Sequence, residues 1–319
     1  MPLTEFPFNL DRLLEEISDC NRVLVYGGMD TGKTTLVKTL FERLGGKVLD
    51  SDLGQPEIGP PGLISLGTYD HGVEEAYFVG AFTPRGNLVQ VMTGVSLLAN
   101  RASSSCLIDT DGWVKGEAAR VYKGEMINLI GPDRLLLLQE EDELEQFTTF
   151  LSEEKIIRLD SRYSGSKSPG DRATNRQRKL KRYFYRLAES KHPWERIRVA
   201  GTLLGRGEEL PSEGLKERLP VSVLAAWQKD NRLTLISDQP IEFGPDNLRN
   251  IDVNEIESYS RKELRYRLVG CYQDLSFRGM GTITGIAGDG LKILGPDEGF
   301  ETIKLGKKRV KPDGRTLPD

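Results

Sequence analysis

The chain has 319 residues, 38% of them hydrophobic and 29% charged, with a net charge of −4. That is the composition of a globular protein with room for two domains, and it argues against a uniformly basic nucleic-acid coat. No apolar stretch is long enough to span a bilayer, and the first nine residues lack the basic-then-apolar order of a secretory signal, so no membrane is expected. Cys20, Cys106 and Cys271 lie far apart and form no metal-type pair. Their number and spacing suit a reducing cytoplasm. With only His71 and His192, a Ser-His-Asp triad or a histidine-rich metal centre has no material to work with.

Leu10, Leu13, Leu14 and Ile17 repeat at helical spacing. Arg22 to Tyr26 is a short apolar run ending in Gly-Gly, the pattern of a buried strand. Leu36, Leu40 and Leu44 predict a helix over 31–44, stopped by Gly45-Gly46. Val48-Leu49 opens a second strand that ends at Asp50. Further strands are expected over 76–79, 106–109, 134–139 and 155–159, with helices over 87–100, 117–129 and 140–151. Alternation of this kind predicts an α/β domain, a mostly parallel sheet with helices on both faces. After about Trp194 the texture changes. Short strand-like pieces over 221–226, 232–236, 266–272, 281–286 and 291–294 alternate with Gly, Pro, Asn and Asp turns, which predicts a smaller β-rich C-terminal domain. The expected division is therefore 1–194 and 195–319, with the residues from Lys307 onward frayed.

Gly27 to Thr34 reads Gly-Gly-Met-Asp-Thr-Gly-Lys-Thr and fits G-x-x-x-x-G-K-[ST], with a strand before it and a helix after it. In such a P-loop the glycines let the backbone curl its N–H groups toward phosphate, at the positive end of the helix. The α/β domain is thus expected to be a P-loop NTPase domain. Gly28, Met29, Asp30, Thr31, Gly32, Lys33, Thr34 and Thr35 are the candidate ATP-binding residues. Lys33 would reach the β- and γ-phosphates, and the Thr34 hydroxyl would ligate Mg2+.

The second strand ends in Asp50-Ser51-Asp52. Two carboxylates at the carboxyl edge of an open sheet lie where ligands bind. Asp50 is the candidate metal ligand and Asp52 the candidate base for an attacking hydroxyl. Aspartates also make turns after strands, and that reading stays open. Trp113, just past the 106–109 strand, could offer a flat face to a nucleobase or could be a packed tryptophan. From Arg158 to Arg186 there are ten basic residues against Asp160 and Asp171, a local charge of +8. Arg172 and Arg176 are four apart and share a helix face. Ser164 to Gly170 has the composition of a hinge.

The P-loop with Asp30, then Asp50-x-Asp52-x-Gly54-Gln55, Pro60-Pro61-Gly62, Thr110-Asp111-Gly112-Trp113 and the arginine-rich stretch ending Arg182-Tyr183-Phe184 together resemble the polynucleotide 5′-hydroxyl kinases. That family includes the kinase subunit of the mRNA cleavage machinery and the kinase of pre-ribosomal RNA processing. The resemblance implies ATP-dependent phosphorylation of single-stranded 5′-hydroxyl ends of RNA or DNA. It implies Asp52 as general base, and a clasp at Thr110 to Trp113, with Thr110, Gly112 and Trp113 on the substrate strand. It implies a lid over about 165–186 whose Arg172 and Arg176, with Arg178 as a third candidate, close on the phosphates. Gln55 would orient the acceptor or a water. Protein partners are not implied. Eukaryotic members carry a β domain before the P-loop, where this chain has a short segment, so the adenine pocket is expected to differ. Three other classes remain open: a kinase for a small nucleoside-like acceptor, an ATP-bound interaction module with little turnover, and a simple NTPase switch, for which an acidic base beside a basic groove is less natural.

Overall fold

Strand β1 (Arg22–Gly27) is buried from Val23 onward because a parallel strand lies on each side of it, β5 (Cys106–Asp109) and β6 (Arg134–Gln139). With β2 (Lys47–Asp50) and β7 (Ile156–Asp160) these form a parallel set ordered β2-β5-β1-β6-β7. Parallel neighbours need crossover connections. The helices α2 (Lys33–Leu44), α3 (Leu88–Arg101) and α4 (Glu117–Ile130) lie in them. Helix α1 (Leu10–Ile17) starts at Asn9, whose Oδ1 accepts the Arg12 N–H at 3.1 Å.

Side-chain alternation along β1 shows why both faces are covered. Val23 and Val25 join a core with Leu13, Ile17, Leu36, Val37 and Leu40 from α1 and α2. Leu24 and Tyr26 join another with Val91, Val95, Met126 and Ile127 from α3 and α4. A strand buried on two faces reads as an unbroken apolar run, as this one does. The computed structural model describes residues 6–161, 168–211, 215, 221–241, 253–297 and 299–318. Among them no helix is long and apolar enough to cross a membrane.

Two segments of this region depart from expectation. The single strand expected at 76–79 is the end of a hairpin, β3 (Leu63–Thr68) and β4 (Gly72–Phe78), added antiparallel to the β2 edge. Ser65 and Gly67 hide β3 in the sequence, yet all six of its residues are buried. The helix expected over 140–151 is instead a 3₁₀ segment, Glu145–Phe150, with a second at Glu153–Lys155. Side chains capture the backbone there: Glu143 accepts the N–H groups of Glu140 and Glu141 at 3.1 Å, and Gln139 Oε1 accepts that of Leu144 at 3.1 Å.

The chain forms two compact units, residues 1–176 and 177–319, and the division falls inside α5 (Pro169–Phe184). The second unit begins before residue 195 because β8 (Ala188–Pro193) is a strand of its sheet, paired with β16 (Gly290–Gly295) over its whole length. That sheet also holds β9 (Arg198–Ala200), β14 (Arg267–Gln273), β15 (Ser276–Ala287), β17 (Thr302–Val310) and β18 (Thr316–Leu317), in the order β18-β17-β14-β15-β16-β8 with β9 beside β17. A four-stranded sheet is ordered β10 (Glu208–Glu209), β11 (Val223–Lys229), β12 (Arg232–Ser237), β13 (Glu255–Ser260). Trp194 and Trp227 meet edge-on in the core, ring centres 4.9 Å apart. The C-terminus is not frayed as expected. β17 pairs with β14, and β18 folds back on β17, so the lysine-rich tail is sheet.

Candidate active site

The P-loop connects β1 to α2 along the carboxyl edge of the parallel strands. Asp30 and Gly32 both take positive φ, 59° and 91°. Such left-handed residues set between ordinary ones fold the backbone into an anion-binding nest. Thr31 Oγ1 donates to the Gly28 carbonyl at 3.0 Å, and Lys33 Nζ donates to the same oxygen at 2.5 Å. Lys33 is buried, and desolvation lowers its pKa against the pull of Asp109, Asp52 and Asp111. The Thr34 hydroxyl bonds Asp109. Thr35 lies in the first turn of α2, where its carbonyl accepts the Thr39 hydroxyl at 3.0 Å. Met29 is exposed at the loop's crest.

Asp50 and Asp109 face each other in register at the ends of β2 and β5. Asp50, expected as a metal ligand, accepts three backbone N–H groups of its own loop. Oδ1 accepts the Asp52 N–H at 3.1 Å, and Oδ2 accepts those of Glu57 at 2.6 Å and Ile58 at 3.1 Å. Burial, followed by the charges of Asp109 and Asp52, still raises its pKa well above the usual range. Asp109 is equally buried, and burial lifts its pKa to about 6 despite Lys33 and the Thr34 hydroxyl. Its Oδ1 has no hydrogen-bond partner. Asp52 Oδ1 closes an Asx turn on the N–H groups of Gly54 and Gln55, at 2.9 and 3.0 Å. The Asp52 charge acts on Lys33, Lys123 and Arg176, opposing the desolvation that lowers the pKa of each.

The 110–113 turn sits directly on the P-loop. A Cβ on Gly112 would come within 2.7 Å of the Met29 nitrogen, so only glycine permits this approach. The Thr110 hydroxyl is buried and donates to the Val25 carbonyl at 2.8 Å, fastening β5 to β1. Asp111 holds the turn: Oδ1 accepts the Trp113 N–H at 2.8 Å, and Oδ2 accepts from the Tyr122 hydroxyl at 3.0 Å and Lys123 Nζ at 3.3 Å. Lys123 is fully buried, its ammonium 4.8 Å from the Tyr26 ring centre and 5.2 Å from that of Tyr122. Trp113 is half-buried, with its ring stacked on Tyr122 and the Arg85 guanidinium 5.0 Å from its centre.

Helix α5 brings Arg172 and Arg176 to the same place. Arg172 Nη2 donates to Asp30 of the P-loop at 2.5 Å. Arg176 lies over the Phe82 ring at 5.0 Å, its buried Nε without a hydrogen-bond partner and its pKa lowered by desolvation against the pull of Asp52. Gln55 fixes the helix: Nε2 donates to the Arg172 carbonyl and Oε1 accepts from Asn175 Nδ2, both at 2.9 Å. The stretch expected to be a lid over about 165–186 holds the helix 169–184; the hinge expected at 164–170 lies largely outside the described residues.

Magnesium suits this donor set. Among the described residues no group of three or more His, Cys, Asp or Glu forms a cage. Mg2+ in nucleotide sites needs only one or two protein oxygens, with phosphates and water completing its shell. Asp109, with one unpartnered buried oxygen beside the Thr34 hydroxyl, fits that requirement. Sequence reading missed Asp109, although an apolar strand ending in Asp was visible at 106–109. It also missed Lys123, which had no signal, because a lysine in an amphipathic helix reads as solvated.

The family signature described as mRNA cleavage and polyadenylation factor CLP1 P-loop matches residues 27–186, a span that contains every candidate site residue. A polyribonucleotide 5′-hydroxyl-kinase of Pyrococcus furiosus is 30% identical over 322 residues, 93% of this chain and 90% of that one. One from Methanocaldococcus jannaschii is 27% identical over 347 residues, covering 98% and 94%. The solved wild-type Clp1p, in complex with residues 454–563 of Pcf11p, superposes with a TM-score of 0.63 at 15% identity over 94% of this chain and 78% of that one, a likeness of fold. On the family signature and the archaeal relatives together, this chain belongs to the CLP1 P-loop family.

Proposed function

We propose that the protein transfers the γ-phosphate of ATP to the 5′-hydroxyl of single-stranded RNA or DNA. The observation that carries this reading is the placing of Asp52. It is a carboxylate held in an Asx turn just past the end of β2, and its charge is felt by the P-loop Lys33 and by Lys123 and Arg176. A simple nucleotide switch has no use for a base so placed, whereas a kinase requires one. The names of the archaeal relatives agree with it.

Asp52 takes the proton of the 5′-hydroxyl as its oxygen bonds to the γ-phosphorus and the bond to the bridging oxygen breaks. Lys33, Arg172 and Arg176 balance charge on the transferred group; one such arginine is worth about 10³–10⁵ in rate. Asp109 and Thr34, rather than Asp50, would hold Mg2+. Held there, it would supply positive charge to offset that of the phosphates. Trp113 meets the first base, while Thr110 and Gly112 position the turn that presents it. Gln55 acts on the lid helix. The three cysteines are all free, which supports a reducing cytoplasm as the compartment.

The test supplies γ-labelled ATP with matched 5′-hydroxyl RNA and DNA strands and with nucleosides. Labelled strand ends are expected, together with a loss of about 10³-fold or more in kcat for Asp52→Asn at unchanged ATP affinity. Labelled nucleosides without labelled strands would make this a small-acceptor kinase. ATP binding without any transfer would make it an interaction module.

A further inference from the structure

Helix α5 carries two different kinds of arginine. Arg172 and Arg176 belong to the site above; the residues after them belong to the second unit. Arg178, Lys181, Arg182, Tyr185 and Arg186 recur at i, i+3, i+4, i+7 and i+8, and all five are exposed. That spacing is one helix face. It extends past the helix end at Phe184, because the Tyr185 N–H still bonds the Lys181 carbonyl at 3.0 Å. No acidic residue occurs between Asp171 and Glu189.

The opposite face is anchored. Leu180 and Phe184 are buried. The Tyr183 hydroxyl donates to the Met280 carbonyl at 3.1 Å and accepts the Met280 N–H at 2.8 Å. Gly314, in the turn between β17 and β18, lies so close that a Cβ there would stand 2.2 Å from the Gln177 carbonyl. The stripe is thus held outward on a rigid support.

Cations near a helix C-terminus complement its dipole, and that alone accounts for Lys181 and Arg182. It does not account for Tyr185, a large aromatic 90% exposed in their midst. Basic residues interleaved with an open aromatic face form a platform for single strands: cations track phosphates and the ring stacks a base of any identity. A duplex keeps its bases stacked inside and offers none to the tyrosine. We propose that this stripe binds the body of a single-stranded nucleic acid, the nucleotides beyond the accepting 5′ end. The inference rests on the kinase reading for its biological sense, but strand binding can be measured without catalysis.

The test uses the full chain with Tyr185→Ala and with the double variant Lys181→Ser, Arg182→Ser. Kd for a fluorescent single strand is read by anisotropy across salt concentrations; KM is read for a 5′-hydroxyl dinucleotide, a long 5′-hydroxyl strand and ATP. Tyr185→Ala is expected to weaken the long strand at least about fivefold, the low end of one base stack. The double variant should lower the salt slope by about 1.4, since each lost phosphate contact removes about 0.7 on single strands. The KM values for dinucleotide and ATP should stay put. Unchanged Kd and slope in both variants would overturn the proposal. So would an equal rise in the KM for ATP, which would assign the stripe to the nucleotide. If polyglutamate weakens like the strand and Tyr185→Ala has no effect, the face serves an acidic protein and the proposal fails. Loss of turnover on every acceptor with strand binding and its variant effects intact would strike the kinase reading and leave the stripe standing.

Discussion

Asp50 and Asp109 are close to a matched pair. They are register partners at the ends of adjacent parallel strands, both 2% exposed, and burial pushes both carboxyl groups upward. Their hydrogen bonds separate them. Asp50 receives three backbone N–H groups from its own loop, whereas Asp109 has one oxygen with no partner and its neighbours are Thr34 and Lys33. A satisfied buried carboxylate is architecture. An unsatisfied one, beside the P-loop lysine, fits the metal proposed above.

The largest effect expected from this contrast is on turnover. Asp109→Asn should lower kcat about 10³-fold, the scale of losing one preorganised electrostatic contact. Its thermal midpoint should hold or rise, because the variant removes a buried charge with an open valence. A fall in midpoint with kcat preserved would reverse the roles of the two aspartates. Stability should also respond to pH. The folded Asp109 pKa is raised to about 6 from an ordinary value of 3.8, so between those limits the native state keeps a proton that the unfolded chain has released. Stability then declines as pH rises through that window. Calorimetry from pH 4 to 6 should find a shallower decline in Asp109→Asn; an equal slope would mean that the carboxyl is not perturbed.

The next effect belongs to Asp50. Asp50→Ala strands three N–H groups of the 52–58 loop. At about 1 kcal/mol each the loss is about 3 kcal/mol, or about 6–12 °C in the midpoint of a unit this size. Turnover in the variant at low temperature should fall far less than in Asp109→Asn. A collapse of kcat with an unchanged midpoint would return Asp50 to the metal.

Why the sequence pointed to Asp50 is itself physical. Sequence carries the address of a residue, here the end of a strand beside a P-loop, and both aspartates share that address. It does not carry the direction of a carboxylate or the partners it finds. The parallel core was legible because β1 runs apolar from Val23 to Tyr26, β6 from Leu135 to Leu138, and α2 keeps its leucines in register. β3 was not legible, since Ser65 and Gly67 interrupt a strand whose burial comes from neighbours far away in sequence. Lys123 was hidden for a related reason: its burial depends on Asp111 and two tyrosines that only the fold assembles. The motifs, by contrast, are local, and Gly32, Lys33 and Gly112 could be read directly.

The smallest effect tests the same distinction at Gln55, expected from the sequence to orient an acceptor. Its amide is occupied at both ends by the lid helix, at the Arg172 carbonyl and Asn175. A side chain so engaged supports the helix that brings Arg172 against Asp30. Gln55→Ala should therefore lower kcat about fivefold, near 1 kcal/mol for the lost bonds, with the KM for the strand unchanged. The decisive measurement is the double variant with Arg172→Ala. If Gln55 works through the arginine, its removal should add almost nothing in that background, a coupling near the full single effect. Additive losses would mean that Gln55 meets the substrate itself, and the line between fastened and open side chains would have to be redrawn on the acceptor side of the site.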